Sequence, residues 1–139
     1  MKVNIQVEKD MEKEKKYNSY GLLAFEGEYL YNWKYKGKSY KKGILEYEGE
    51  FLFDKKWDGK GYDELGNIIY ELKNGDGNVK EYNNDGELVF EGEYLDGKRY
   101  GKGREYNKDK LIFEGKYLDG KRDGKGKEYN NNSELVFED

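Results

Sequence analysis

Apolar and polar residues alternate along most of this chain, and short clusters of turn residues break the alternation at regular intervals. In Phe90-Glu91-Gly92-Glu93-Tyr94 the two rings and the glycine occupy every second position, so they share one face of a strand, while Glu91, Glu93 and Leu95 face the other way. Asp96-Gly97 follows, a pair suited to a tight turn because glycine is at ease at positive φ and aspartate tolerates it. Gly101 to Tyr106 then returns as a second strand. Asn83-Asn84-Asp85-Gly86 separates Tyr82 from Leu88 and joins one hairpin to the next. No helical period intervenes, so the pattern predicts an all-β meander of antiparallel hairpins.

The pattern repeats. Phe90-Glu91-Gly92-Glu93-Tyr94-Leu95-Asp96-Gly97-Lys98-Arg99 returns as Phe113-Glu114-Gly115-Lys116-Tyr117-Leu118-Asp119-Gly120-Lys121-Arg122. Looser copies begin at Phe25-Glu26-Gly27-Glu28-Tyr29-Leu30 and Tyr47-Glu48-Gly49-Glu50-Phe51-Leu52, and a further copy begins at Leu135-Val136-Phe137-Glu138. The lead aromatics lie at 25, 47, 70, 90, 113 and 137, in steps of 22, 23, 20, 23 and 24, a period that marks a stacked repeat. The third copy, around Tyr70, is short and carries Asn74-Gly75, the strongest short-range hairpin signal in the chain. Its clipped loop should leave a notch that bends the array or admits a partner. Glycine inside a strand normally weakens it. Gly27, Gly49, Gly92 and Gly115 each sit between two aromatics, so the expectation is that a ring from the neighbouring strand lies across the bare backbone.

Aromatic-Glu-Gly-Glu-aromatic, a turn with Asp-Gly-Lys-Arg, then Gly-Lys-Gly at a period near 23, resembles the MORN repeat. The likeness is strong over residues 88–106 and 111–129, recognisable over 23–30 and 45–62, degenerate over 68–82 and absent from 1–20. It implies an elongated, gently twisted, single-layer antiparallel sheet of tandem hairpins with a groove along one face. It also implies a scaffold, dimerising or partner-binding role, in some members at membranes. A bacterial branch with related hairpins includes toxin-binding immunity proteins. The loops here lack histidine, the third unit is shortened and the first lacks the Gly-x-Gly pair.

Composition bounds the chemistry. Charged residues make up 40% of the 139 positions and mean hydropathy is −1.25, values typical of disorder, but 17% aromatic content supplies the missing burial. The chain has no Cys and no His, which removes disulfides, thiolate metal sites, the commonest metal ligand and the commonest general base. It has no Thr, and its three Ser at 19, 39 and 133 stand beside no base. The 30 carboxylates recur with the repeat among Lys and Arg, as solvated cross-strand pairs do. These features point away from an enzyme and call for no cofactor or metal.

Residues 1–20 are expected to cap the array or link to it: Met1 to Val7 as a short strand, then charged Glu8 to Lys16 as a helical spacer or linker, with the repeats filling 21–139. No apolar run approaches a signal peptide or a span, so the expected location is cytoplasmic. Tyr29, Tyr31, Trp33 and Tyr35 alternate and are expected to enrich one strand face in rings. Phe53 and Trp57 stand where the fourth repeat has Asp96 and Tyr100. With Phe51, Trp57, Tyr94 and Tyr117, the Tyr29–Tyr35 rings form the candidate protein-binding set, since Trp and Tyr dominate contact hot spots. Residues 88–127 carry 11 Lys and Arg against 8 Asp and Glu within a chain of net charge −4. There Lys98, Arg99, Lys121 and Arg122 form a candidate ladder for an anionic surface. Nucleic acid is disfavoured because no basic run is continuous. The expected function is a non-catalytic scaffold that binds a protein partner through its aromatic groove or edge strands, with a homodimer through the terminal hairpin as one form. The alternatives are anionic-lipid tethering and toxin neutralisation.

Overall fold

The computed structural model describes residues 11–138, with the side chain of Lys125 excepted, as an all-β chain of twelve strands. The first six are β1 (Met11–Tyr17), β2 (Leu23–Leu30), β3 (Trp33–Lys41), β4 (Ile44–Leu52), β5 (Lys55–Tyr62) and β6 (Ile68–Leu72). The rest are β7 (Gly77–Tyr82), β8 (Leu88–Leu95), β9 (Lys98–Asn107), β10 (Lys110–Leu118), β11 (Lys121–Tyr129) and β12 (Leu135–Glu138). Within each of two six-stranded sheets, β1–β6 and β7–β12, every strand pairs antiparallel with its sequence neighbours.

Segment 11–17 is a strand, where the sequence suggested a helical spacer or linker. Pairing with β2 sets Lys13 opposite Glu28 and Lys15 opposite Glu26, and this cross-strand charge match outweighs the helix propensity of a Glu/Lys run. The strand expected at Met1 to Val7 lies outside the described residues.

Two kinds of turn join the strands; one edge uses a single kind and the other mixes both, with two-residue turns at Lys42-Gly43 and Lys108-Asp109. Along one edge the tips are two-residue turns with both residues at positive φ, the hand that matches strand twist: Tyr31-Asn32, Phe53-Asp54, Asn74-Gly75, Asp96-Gly97 and Asp119-Gly120. The tips are sewn together. Asp54 accepts from Lys34 N at 2.7 Å and Asp76 from Asp96 N at 2.9 Å, while Gly97 N donates to Gly75 O at 2.9 Å. On the other edge Asn18, Asp63, Asn83 and Asn130 each use a side-chain oxygen to accept two backbone N–H groups of their own loop.

The strand glycines pair with one another. Gly27 faces Gly37, which faces Gly49, which faces Gly59; Gly92 faces Gly103, then Gly115, then Gly126. A Cβ at Gly92 would lie 2.8 Å from Gly103 Cα and 2.9 Å from Phe90 Cζ. At Gly103 it would meet Phe90 at 2.7 Å and Tyr117 at 3.0 Å. The rings do not lie where the sequence suggests: Gly27 and Gly92 carry the ring of their own strand and abut their partner's backbone, and the atoms nearest a Cβ at Gly49 are all backbone of Asp58 and Gly59, whereas the ring of a neighbouring strand lies over Gly37, Gly103 and Gly126.

The third repeat departs from this scheme, and there the meander divides. Leu72 and Val79 stand where the other repeats place a facing pair of glycines. Two side chains cannot enter that backbone contact. The hairpin closes over Asn74-Gly75 with Lys73 and Asp76 exchanging hydrogen bonds of 3.0 Å, and β6 and β7 then part. Each large residue instead faces a glycine on its outer side, Leu72 opposite Gly59 and Val79 opposite Gly92. Leu72, Val79 and Tyr70 are buried at the seam and belong to one core with Phe25, Tyr47, Phe51, Phe90, Phe113 and Tyr117. Successive repeats meet edge to face in that core, Phe25 on Phe51 at 5.6 Å and Phe90 on Tyr117 at 5.1 Å.

Candidate functional site

Most of the rings proposed for contact serve the core instead. Phe51 and Tyr117 are buried, and Tyr29 and Tyr94 are partly buried against them. The run Tyr29 to Tyr35 does not share one strand face: Tyr29 lies in β2, Tyr31-Asn32 form the turn, Trp33 opens β3 and Tyr35 sits at a register shift. A two-residue turn reverses the chain and breaks the period of two that the alternation suggested.

A cation roofs four of the lead rings. Lys34 Nζ lies 5.1 Å from the centre of Phe25 and Lys56 Nζ 5.2 Å from that of Tyr47. The Arg99 guanidinium lies 4.3 Å above Phe90, and that of Arg122 4.0 Å above Phe113. In the second sheet these cations form a chain of alternating charge. Arg99 donates through Nε and Nη2 to Glu81 at 3.0 and 2.9 Å and lies 3.7 Å from Glu105. Arg122 donates to Glu105 at 3.0 and 2.7 Å and to Glu128 at 3.2 Å. Tyr94 and Tyr117 donate their hydroxyls to Glu81 and Glu105 at 2.7 and 2.6 Å.

Burial works against the Arg99 charge, but the Glu81 bonds and the Glu81 and Glu105 charges outweigh it and raise its pKa. Burial likewise works against the Glu105 carboxylate, but hydrogen bonds from Arg122 and Tyr117 and the charges of both arginines hold its pKa below the usual range. Arg99 and Arg122 are therefore occupied within the fold, and of the four residues read as an anionic-surface ladder only Lys98 and Lys121 are exposed without an ion pair among the described residues.

The first sheet has Ser39 and Gly61 where the second has Glu105 and Glu128. Lys56 turns instead to Glu46, at 2.7 Å; that carboxylate is buried, and its Oε2 has no donor among the described residues. The Lys34 ammonium makes no ion pair among the described residues, and burial lowers its pKa against the opposing pull of the Asp54 charge.

Among the described residues several surfaces remain open, including a recess of about 400 Å³ beside Ile44 and Leu65 on the loop edge; two others lie at the hairpin tips and on a sheet face. Along the hairpin tips, Trp33 and Phe53 meet edge to face at 5.4 Å and are exposed. Phe53, Trp57, Leu95, Tyr100 and Leu118 share a shallow recess of about 330 Å³. Phe53, Leu95, Tyr100 and Leu118 are absent from the sequence-based candidates; their signal is a large apolar residue within or next to a turn. The second surface is the sheet face bearing Glu26, Lys36, Glu91 and Lys102, where grooves of about 510 and 1150 Å³ run over the glycine rungs of the two sheets.

Among the described residues no helix is long and apolar enough to cross a membrane, and no group of acidic side chains could hold a metal ion. No family model matches the chain, and no curated protein matches it.

Proposed function

We propose that this chain is a non-catalytic, MORN-like scaffold that binds a protein partner along the edge formed by its hairpin tips. One observation carries the reading. Tyr31 and Phe53 occupy turn positions at φ 50° and 48° with 62% and 59% of their surface exposed, where the other tips of this edge have Asn74, Asp96 and Asp119. A bulky aromatic is disfavoured in that conformation, and more than half of each residue's surface is left to solvent there. Such a choice is understandable if the rings meet another molecule. Trp33, Leu95, Tyr100 and Leu118 extend the same edge as an exposed apolar row, the kind of patch that marks contact sites.

Tagged protein captures partners from its native cell, and the triple variant Trp33→Ser, Phe53→Ser, Tyr100→Ser is compared with it. Loss of a captured protein, with an unchanged circular dichroism spectrum, supports the reading; equal capture contradicts it. Light scattering of the two proteins alone separates a second copy of the chain from a different partner.

A further inference from the structure

We infer that the glycine-floored groove of the second sheet holds an acidic segment of a partner protein, with one carboxylate seated between Lys102 and Lys116. The inference rests on the reading of the chain as a protein-binding scaffold and adds a second surface and a chemistry for the partner.

The two sheets differ at one rung. Beside the Gly37–Gly49 pair of the first sheet, Lys36 faces Glu50. Beside the corresponding Gly103–Gly115 pair, Lys102 faces Lys116, because the fifth repeat reads Phe113-Glu114-Gly115-Lys116 where its counterparts end in glutamate. Like charges directly opposite on one face of a sheet are unfavourable. Two other cations of this groove are neutralised, Arg104 by Glu114 at 2.6 Å and Lys127 by Glu138 at 3.4 Å, and a third, Lys80, stands opposite a carboxylate, Glu91. Lys102 and Lys116 are exposed and make no ion pair among the described residues. The first sheet has its own like-charged pair, Glu50 and Asp58, but Asp58 is engaged as the acceptor for Asn74 N at 3.1 Å. The groove walls follow suit, with four basic and four acidic side chains in the first sheet against five and three in the second.

Shape selects the occupant. The groove of about 1150 Å³ reaches from β7 to β12. Five strand spacings make roughly 24 Å, a distance that an extended peptide covers in about seven residues. The bare glycines of the floor let a backbone come close. A flat bilayer does not enter a recess, and a nucleic acid strand would set further phosphates against Glu91 and Glu114. One unneutralised cation pair in an open channel of mixed charge fits a peptide carboxylate.

The test is fluorescence anisotropy of a labelled heptapeptide of alternating glutamate and serine, with the lysine–serine heptapeptide as control. Wild type should bind the acidic peptide and not the basic one. Lys116→Glu restores the arrangement of the first sheet and should weaken binding at least tenfold while leaving the melting temperature equal or higher. Lys102→Gln should weaken it in the same direction, and Lys98→Gln, at a tip outside the groove, should leave it unchanged. Equal binding by wild type and Lys116→Glu overturns the inference, as does tighter binding of oligo(dT) or of phosphatidylserine vesicles than of the acidic peptide. In the capture experiment, a partner lost from the tip variant but retained by Lys116→Glu also overturns it while leaving the scaffold reading intact; loss from both supports it.

Discussion

The two sheets are built on one repeat but secure it by different means. The second uses Asp-Gly tips and an Arg–Glu chain, Glu81–Arg99–Glu105–Arg122–Glu128, which closes over Phe90 and Phe113. The first uses lysines over two of its lead rings, one of these lysines without an ion pair among the described residues, and places Tyr31 and Phe53 at turn positions that disfavour them. A planar guanidinium stacks on a ring and grips a carboxylate at once, which an ammonium does less well. The regular half is thus held by a continuous charge network, whereas the half that departs from the repeat carries aromatics at turn positions that disfavour them, the departure on which the proposed binding edge rests.

The comparison breaks most sharply at the seam. Leu72 is 1% exposed and fills the space left where the glycine rung is missing. Leu72→Ala should cost about 3 kcal/mol in urea unfolding, the usual range for a buried leucine; a cost below about 1 kcal/mol would mean that the seam is not packed. Gly92→Val introduces the kind of side chain that parts the strands at the seam. It should cost roughly 1–3 kcal/mol, and a variant that melts like the parent would contradict the glycine-pair account.

Glu105→Gln leaves Arg99 and Arg122 without their shared anion and should cost roughly 1.5–3 kcal/mol, as charged hydrogen bonds do. It also carries a pH signature. Because the folded-state pKa of Glu105 is depressed, its stabilisation is complete above the unfolded-state value near ~4.3 and is lost as pH falls through the lower folded value. The variant should therefore show a shallower loss of stability on acidification than wild type. The smallest effect separates the two roofs. Lys34→Met, at a cation whose pKa burial lowers, should be neutral or slightly stabilising, whereas Arg99→Met should destabilise. Equal losses at both sites would erase the distinction between the sheets.

Much of this architecture is legible in the sequence because its signals are local. A period of two, paired with Asn-Gly and Asp-Gly, fixes strands and turns without reference to distant residues, and the turn at Asn74-Gly75 falls where the sequence places it. The division into two sheets is written in Leu72 and Val79, but only once the glycines are known to face each other across strands. The strand at Met11–Tyr17 is hidden because a Glu/Lys run suits a helix equally well until β2 offers it charges. The surface depends on residues brought together from distant strands. Tyr31 continues an alternating run in the sequence, yet the turn takes it out of the strand, and Arg99 and Arg122 look free until the fold brings Glu81 and Glu105 beneath them.

The most direct test of the tips as a binding edge is the double variant Tyr31→Asn, Phe53→Asn, which keeps both turns and replaces each disfavoured ring with a residue at home at positive φ. Thermal unfolding and partner capture are then measured on the same preparation. The melting temperature should rise while the partner is lost. A variant that melts lower, or that captures the partner as wild type does, would show that these rings serve the fold and not an interface.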